Sequence, residues 1–430
     1  MKEDKKMTSK KRKSSETEEK KFHFIKETIK DKPIDKKKVL THVGVVAAAG
    51  IIFGIAAAMA FAAIAPGLLQ RSVEGQPSKV DIPQDDPEVT PTATPTPEVQ
   101  MTEESAMEQY ERLYQEALQI SEEPRKAIVS VVGQEDAEDL LDNTLLTSGQ
   151  AMGIIFVENS GSYYILTQYS AVKNVESVQV TFSNGTIVKG SVRKSDSRTN
   201  LAVVTVRKKN VDEKTKEAIC VAELGNSYSL MQGKPVIAIG SPSGYNDSVY
   251  FGTITSVSNK VAVTDTEYNL LITDIPGSEK GSGFLLDTDG EVIGLIAQNY
   301  GNDSDESKTM VRALAVSQLK PLIETLSNAE TIQYLGVRGQ DISESVSESM
   351  QVPEGVYVES VEEDSPAMKA GLQSGDVIQE LDGEEAKTMQ QYSTLLQNCK
   401  EGQKIRLTLM RSKGAEGYAQ MTVEAEVQSR

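Results

Sequence analysis

Residues Met152–Thr167 read MGIIFVENSGSYYILT, which is typical of two short β-strands joined by a turn. Branched and aromatic side chains are concentrated in Met152–Val157 and Tyr163–Thr167, and turn-forming residues lie between them. Similar runs occur on both sides: Ala127–Val132, Val178–Phe182, Thr186–Val192, Leu201–Val206, Pro235–Gly240, Val249–Ser256, Leu270–Ile275, Gly283–Asp287 and Val292–Gln298. Because no long helix separates these runs, they predict an all-β sandwich or barrel system, closed by a helix over Ser317–Ser327.

The last hundred residues mix strands with short helices. Ser365, Pro366 and Gly371 stand where a helix would have its N-cap, first turn and exit. A second helical stretch follows Thr388. Predicted strands are Tyr334–Val337, Gly355–Val361, Val377–Leu381 and Lys404–Met410. This part of the chain therefore predicts a small α+β domain.

The N-terminal part predicts a single membrane span. Residues 1–38 hold 15 Lys and Arg against 8 Asp and Glu, and Val39–Leu69 carries no charged side chain. About 20 apolar residues cross a bilayer, and the basic flank places the N-terminus in the cytoplasm. Cleavage near Ala63–Pro66, as in a signal peptide, is the alternative that stays open.

The rest of the chain is acidic. The net charge is −18 overall, so the residues after the basic tail carry about −25, which argues against nucleic acid as a partner. Residues 70–100 include Thr- and Pro-rich sequence and predict an extended linker. Thr102–Ile120 has helical periodicity, and Pro124 is predicted to end that helix. Cys220 and Cys399 have no metal-type spacing, so we predict no metal or other cofactor and leave their oxidation state open.

Several motifs resemble the HtrA (DegP-like) family, in which a trypsin-like protease domain precedes a PDZ domain. Ser195–Val203 (SDSRTNLAV) is similar to the family's SDPRTDLAV, Val236–Gly244 (VIAIGSPSG) to VIAIGNPxG, and Gly290–Leu295 (GEVIGL) to GEVIGI. Tyr334–Val337 (YLGV) resembles the start of the family's PDZ domain. The resemblance implies a mainly β chain: a trypsin-like double β-barrel over 101–329 with its leading helix, then an α+β PDZ domain over 330–430. The basic tail (1–38) and transmembrane helix (39–69) resemble those of membrane-anchored bacterial members, whose catalytic domains are extracytoplasmic.

The resemblance also locates the triad positions, and two of them are changed. Ser282, in Gly281-Ser282-Gly283, keeps the place of the nucleophile. Ser170 stands where the family has its catalytic histidine, and Asn200 stands where it has the aspartate. Serine proteolysis needs an imidazole that takes the hydroxyl proton near neutral pH and a carboxylate that orients it. The chain has two histidines, His23 and His42, so residues 43–430 contain none and a Ser–His dyad is excluded whatever the alignment.

Two other departures flank Ser282. Lys280 replaces the family's oxyanion-loop glycine, and Phe284 replaces the second glycine after the serine. A Ser282–Lys280 dyad would need the lysine to be desolvated, whereas a lysine on an exposed loop stays protonated. An active serine endopeptidase with an unorthodox Ser282-based mechanism is therefore the alternative to an inactive pseudoprotease.

The PDZ-like domain keeps its expected binding features. PDZ domains add an extended C-terminal peptide as a strand, and backbone amides of one loop hold its carboxylate. The resemblance assigns that loop to Tyr334, Leu335, Gly336 and Val337. The opposite wall of the groove would be the helix around Gln390–Gln397, with Tyr392, Leu395 and Leu396 as lining candidates unless they belong to the core.

These observations predict a membrane-anchored, extracytoplasmic pseudoprotease that binds peptides or unfolded proteins in envelope protein quality control. By resemblance, its partners include the membrane and copies of itself in a trimer. A regulatory subunit that assembles with active relatives shares the same sequence features and differs in its partner.

Overall fold

The computed structural model describes residues 79–87, 106–138, 145–175, 177–300 and 309–430. The predicted tail and membrane span, 1–69, lie outside the described residues. Among the described helices, none is both long and apolar enough to cross a bilayer.

The first of two six-stranded β-barrels follows the long helix α1 (Ala106–Lys126). Its strands close in the order β1-β2-β3-β6-β5-β4, and every neighbouring pair is antiparallel. They are β1 (Ile128–Glu138), β2 (Leu145–Glu158), β3 (Ser162–Gln168), β4 (Ser177–Thr181), β5 (Ile187–Asp196) and β6 (Leu201–Arg207). The predicted turn at Asn184-Gly185 joins β4 to β5, and Gly185 has the positive φ of +83° that such a turn requires.

The second barrel follows a short helix, α2 (Glu213–Ala218), and closes in the order β10-β11-β12-β9-β8-β7. Its strands are β7 (Pro235–Ser241), β8 (Ser248–Val263), β9 (Thr266–Pro276), β10 (Ser282–Leu286), β11 (Val292–Ile296) and β12 (Met310–Ala315). Helix α3 (Val316–Ser327) ends the domain. The prediction of a mainly β, double-barrel domain is confirmed.

The C-terminal domain is a sheet in the order β14-β15-β16-β18-β19 with β17 paired to β16, and a separate β13–β20 ladder. The strands are β13 (Gln333–Tyr334), β14 (Val337–Ile342), β15 (Gly355–Val361), β16 (Val377–Leu381), β17 (Glu384–Glu385), β18 (Lys404–Ser412), β19 (Tyr418–Glu426) and β20 (Gln428–Ser429). The helices are α4 (Glu344–Met350), α5 (Pro366–Ala370) and α6 (Met389–Gln397). The predicted helix ends are confirmed. Ser365 is the N-cap of α5, Gly371 is its C-cap with φ +85°, and Thr388 forms a capping box with Gln391 at the start of α6.

Local predictions were wrong at two places. Helix α1 continues two residues past Pro124, because a proline so near the helix end removes only one intrahelical hydrogen bond. Tyr334–Val337 is not one strand: β13 ends at Tyr334, and β14 begins at Val337 after Gly336 takes φ +93°. That break turns the backbone amides of the loop toward one point, which is what a carboxylate-binding loop needs.

Part of the predicted linker lies against α3. Val80 and Ile82 are buried, and Val80 exchanges backbone hydrogen bonds with the side chain of Asn328. Asp85 pairs with Lys320 at 2.9 Å, and Lys320 is itself buried. Residues 79–87 are therefore packed on the double-barrel domain, although their composition predicts an extended spacer.

Candidate functional site

Ser282 begins β10 and is buried where the two barrels meet. Its Oγ accepts a hydrogen bond from the backbone N–H of Met152 in β2, at 3.0 Å. The next residue, Gly283, pairs with Gly240 of β7. Its φ is +136°, and a Cβ there would lie 2.1 Å from the carbonyl oxygen of Ile239, so β10 and β7 need glycine at this point. The Ser282 hydroxyl is thus a hydrogen-bond acceptor for a backbone amide. To act as a nucleophile, it would need a base that accepts its proton.

Ser170 and Asn200 lie side by side. Ser170 is exposed in a single 3₁₀ turn after β3, and its N–H donates to Asn200 Oδ1 at 2.9 Å. Asn200 reaches that position with φ +56°, a conformation that asparagine tolerates better than most residues. The fold brings the histidine and aspartate positions together, but it supplies a hydroxyl and a neutral amide there.

Strand β2 connects this pair with Ser282. A Cβ on Gly149 would lie 2.7 Å from the carbonyl oxygen of Ser170, while Met152, three residues along, contacts Ser282 Oγ. Strand β2 thus contacts Ser282 at one residue and Ser170 at another, and Ser170 in turn contacts Asn200.

The backbone amides of the loop before Ser282 donate hydrogen bonds to nearby protein oxygens. Gly281 N–H donates to Ser278 O at 2.7 Å, Ser278 N–H donates to Pro242 O at 3.1 Å, and Lys280 N–H donates to Ser278 Oγ at 3.4 Å. An oxyanion hole needs amides directed at the substrate oxygen. Lys280 itself is exposed, so it lacks the burial that would turn a lysine into a base.

The PDZ loop has a residue of the barrel domain bound to it. The N–H groups of Leu335, Gly336 and Val337 donate to the carboxylate of Asp265 over 2.9–3.1 Å. Asp265 lies in the turn between β8 and β9, and its own N–H donates to Val337 O at 2.6 Å. A Cβ on Gly336 would lie 2.3 Å from Cβ of Ser365, so glycine is required at the centre of the loop.

Of the three residues on α6 that were predicted to line the peptide groove, two belong to the PDZ core and one also contacts Asp265. Leu396 is fully buried in the PDZ core, and Leu395 is half-buried against it. Tyr392 is also fully buried, and its hydroxyl donates to Asp265 Oδ1 at 3.0 Å. Tyr392 is therefore both a core residue and a direct partner of the carboxylate in the loop.

A second carboxylate, Glu362, lies beside the PDZ loop, where its own N–H donates to Gly336 O at 2.9 Å. Tyr334 hydroxyl donates to Glu362 at 2.8 Å, Arg198 pairs with Glu362 at 2.7 Å, and Thr264 donates to the same side chain. Burial raises the pKa of the Asp265 carboxyl, and the three loop amides oppose that rise. Burial and the bond to Glu362 raise the pKa of Tyr334 to about 12.

Sequence reasoning missed Asp265 and Glu362. Thr264-Asp265-Thr266 reads as an ordinary turn, and nothing local indicates that its carboxylate contacts a loop 70 residues away. In the described part of the chain, no group of three His, Cys, Asp or Glu side chains is arranged to hold a metal ion.

Comparison with known proteins agrees with both domains. Residues 151–295 match the trypsin-like peptidase domain family, and residues 333–427 match the PDZ domain family. The chain is 31% identical over 287 residues to the serine protease Do-like HtrA of Bacillus subtilis strain 168, covering 62% of this chain and 61% of that protein. It is 30% identical over 312 residues to HtrB of the same organism, covering 66% of each. The chain thus spans about two thirds or less of the length of these relatives.

Solved structures show the same fold. The HtrA-type protease AlgW with a tripeptide matches at a TM-score of 0.52 and 23% identity, covering 74% of this chain and 97% of that one. The same protease with a decapeptide matches at a TM-score of 0.51 and 22% identity, covering 73% and 98%. With its double barrel, its PDZ loop and these relatives, the chain is an HtrA/DegP homologue that joins a trypsin-like peptidase domain to a PDZ domain.

Proposed function

We propose that this chain is a non-catalytic HtrA/DegP homologue, a pseudoprotease that binds peptides or unfolded proteins through its PDZ domain. One observation carries the proposal: residues 43–430 contain no imidazole to take the proton of Ser282. The local geometry supports it, because Ser282 Oγ accepts a hydrogen bond from Met152 and the neighbouring positions hold Ser170 and Asn200. Removing the base from a serine protease costs on the order of a million-fold in rate.

The proposal includes a location. The basic tail, the uncharged stretch Val39–Leu69 and the acidic remainder support a single-pass membrane protein with its N-terminus in the cytoplasm. The folded domains would then act outside the cytoplasm in envelope protein quality control. Self-assembly, or assembly with an active relative that it regulates, is consistent with the same features.

The location predicts a clear fractionation result. The full chain should remain with membranes after carbonate extraction, and added protease should degrade residues 70–430 in spheroplasts without lysis. A variant with Ile51→Asp, Ile52→Asp and Phe53→Asp should lose the membrane fraction, because each charge at a span centre costs about 3 kcal/mol. If the wild-type protein is instead recovered in the soluble fraction and has lost its N-terminal part, cleavage near Ala63–Pro66 is favoured.

Reaction with a fluorophosphonate tests the absence of catalysis. The purified full chain should show labelling no stronger than that of Ser282→Ala, because the probe reacts with a serine only when a base activates it. The B. subtilis HtrA relative serves as a positive control for the reagent. Mass spectrometry of the tryptic peptide that contains Ser282 measures the modified fraction.

Strong labelling that disappears in Ser282→Ala would contradict the proposal. It would support the alternative of a serine endopeptidase with an unorthodox mechanism, which the retained Ser282 and the relatives named as serine proteases favour. The variant Lys280→Met would then show whether Lys280 is the base.

A further inference from the structure

The β8–β9 turn reproduces the two backbone contacts that a peptide C-terminus makes with a PDZ domain. A terminal residue offers a carboxylate to the loop amides and its own N–H to the adjacent strand. Asp265 offers its side-chain carboxylate to Leu335, Gly336 and Val337, and its N–H donates to Val337 O. Its carboxylate lies one carbon farther from the backbone than an α-carboxylate but has the same charge and shape.

We propose that Asp265 is a built-in ligand of the PDZ domain, and that a C-terminal peptide binds only by displacing the β8–β9 turn from the loop. This inference rests on the proposed peptide-binding function and adds its regulation: the barrel domain competes with the client for one carboxylate site. The occupant is a named residue of the same chain, and its contacts are defined.

Burial explains why Asp265 is a specific ligand. Asp265 is 2% exposed, and a buried carboxylate is strongly destabilising unless hydrogen bonds satisfy it. Three backbone amides and the Tyr392 hydroxyl do so here. When the turn leaves, those donors lose their acceptor, so the exchange is favourable only for a competitor that also carries a carboxylate.

The contacts around Asp265 allow the turn to be displaced. Lys260 pairs with Asp341 at 2.7 Å, and Arg338 donates to the carbonyl oxygen of Ala262 at 2.9 Å, both at exposed positions. Exposed pairs of this kind contribute about 1 kcal/mol or less each. The turn is held by these pairs, by the hydrogen bond from Thr264 to Glu362, and by the carboxylate and N–H of Asp265. A peptide C-terminus can replace the last two.

The described residues leave an open space beside the turn, between α6 and α3 of the barrel domain. This cavity of about 390 Å³ is lined by Thr266 and Glu267 of β9, Gln390 and Thr394 of α6, and Arg430.

Peptide binding by the full chain in detergent micelles tests the competition. The probes are a set of fluorescein-labelled heptapeptides with free C-terminal carboxylates, which differ in the apolar residue at the last position. Their binding is measured by fluorescence anisotropy. Asp265→Gly removes the carboxylate and tolerates φ +62°, so it should bind the best of these peptides at least about tenfold more tightly than wild type. Asp265→Asn should give a smaller gain, and the matching C-terminal amides should bind none of the three proteins.

Asp247→Gly is the matched control. Asp247 also lies in a turn at positive φ, +57°, but it pairs with Arg125 on the exposed surface, so its loss should leave peptide affinity unchanged. Hydrogen exchange adds a second readout: the Leu335, Gly336 and Val337 amides should exchange faster in Asp265→Gly alone, and saturating peptide should protect them again.

The outcomes separate the two proposals. Equal, measurable affinity of wild type and Asp265→Gly for the carboxylate peptides would overturn the competition and leave the peptide-binding function standing. No binding by either protein, with circular dichroism spectra unchanged, would overturn both. If Asp265→Gly does not fold, the comparison of wild type with Asp265→Asn decides in the same way.

Discussion

The triple variant Ser170→His/Asn200→Asp/Lys280→Gly should react with a fluorophosphonate at Ser282 at least about a thousandfold faster than the unchanged chain. The expected gain is large because a missing base costs a serine protease on the order of a million-fold. The structure favours restoration, since position 170 is exposed and the position 200 side chain already contacts its backbone. Aspartate also tolerates the positive φ of Asn200.

Two features beside Ser282 affect the size of this gain: its hydrogen bond with Met152 and the residue at position 280. Ser282 Oγ has to release the Met152 amide, a neutral hydrogen bond worth about 1 kcal/mol. Lys280→Gly restores the residue that the family has in the oxyanion loop, where Lys280 N–H now donates to Ser278 Oγ. Releasing the Met152 amide costs only about fivefold. The expected gain is a thousandfold and not a million-fold because the variant also keeps Phe284, where the family has glycine.

The controls isolate the imidazole. Asn200→Asp/Lys280→Gly has the carboxylate and the reshaped loop but no base, so its labelling should equal that of wild type. Adding Ser282→Ala to the triple variant should abolish labelling. If the triple variant is folded and unreactive, the loop before Ser282 blocks catalysis independently of the base.

The strands were predictable because their residues are locally consistent. The run Val236–Gly240 is nearly all apolar and is buried on both faces of the sheet. Asn184 and Gly185 mark the short turn between β4 and β5. Strand β12 (Met310–Ala315), which pairs with β9 and β11, was not predicted. It contains Arg312, a fully buried arginine that interrupts the apolar pattern of the strand.

The assignment of Ser282, Ser170 and Asn200 to the triad positions comes from motif order and stays a prediction, although Ser170 and Asn200, 30 residues apart, do lie in contact. The contact between Asp265 and the PDZ loop was not predictable. It joins residues 70 positions apart in two domains, and only tertiary packing selects that aspartate from the many exposed carboxylates of an acidic chain. Its counterpart in the sequence, Gly336, was visible because a PDZ loop requires glycine there.

Substitution of Gly336 should cost the PDZ domain most of its stability. The variant Gly336→Ala forces a side chain into φ +93° and places its Cβ 2.3 Å from Cβ of Ser365. Backbone strain of this kind costs about 1–3 kcal/mol, and overpacking adds about 1–3 kcal/mol. We therefore expect the free energy of unfolding of the PDZ domain to fall by about 3–5 kcal/mol.

Gly402→Ala is the matched control within the same domain. Gly402 also has positive φ, +76°, but a Cβ there would have no atom within 4 Å, so only the strain applies and about 1 kcal/mol should be lost. Urea unfolding followed by far-ultraviolet circular dichroism measures both, since the chain has no tryptophan. Equal losses in the two variants would mean that Ser365 moves aside without cost. The loop would then be more adaptable than its close contact with Asp265 implies, and carboxylate capture would not depend on a fixed geometry at Gly336.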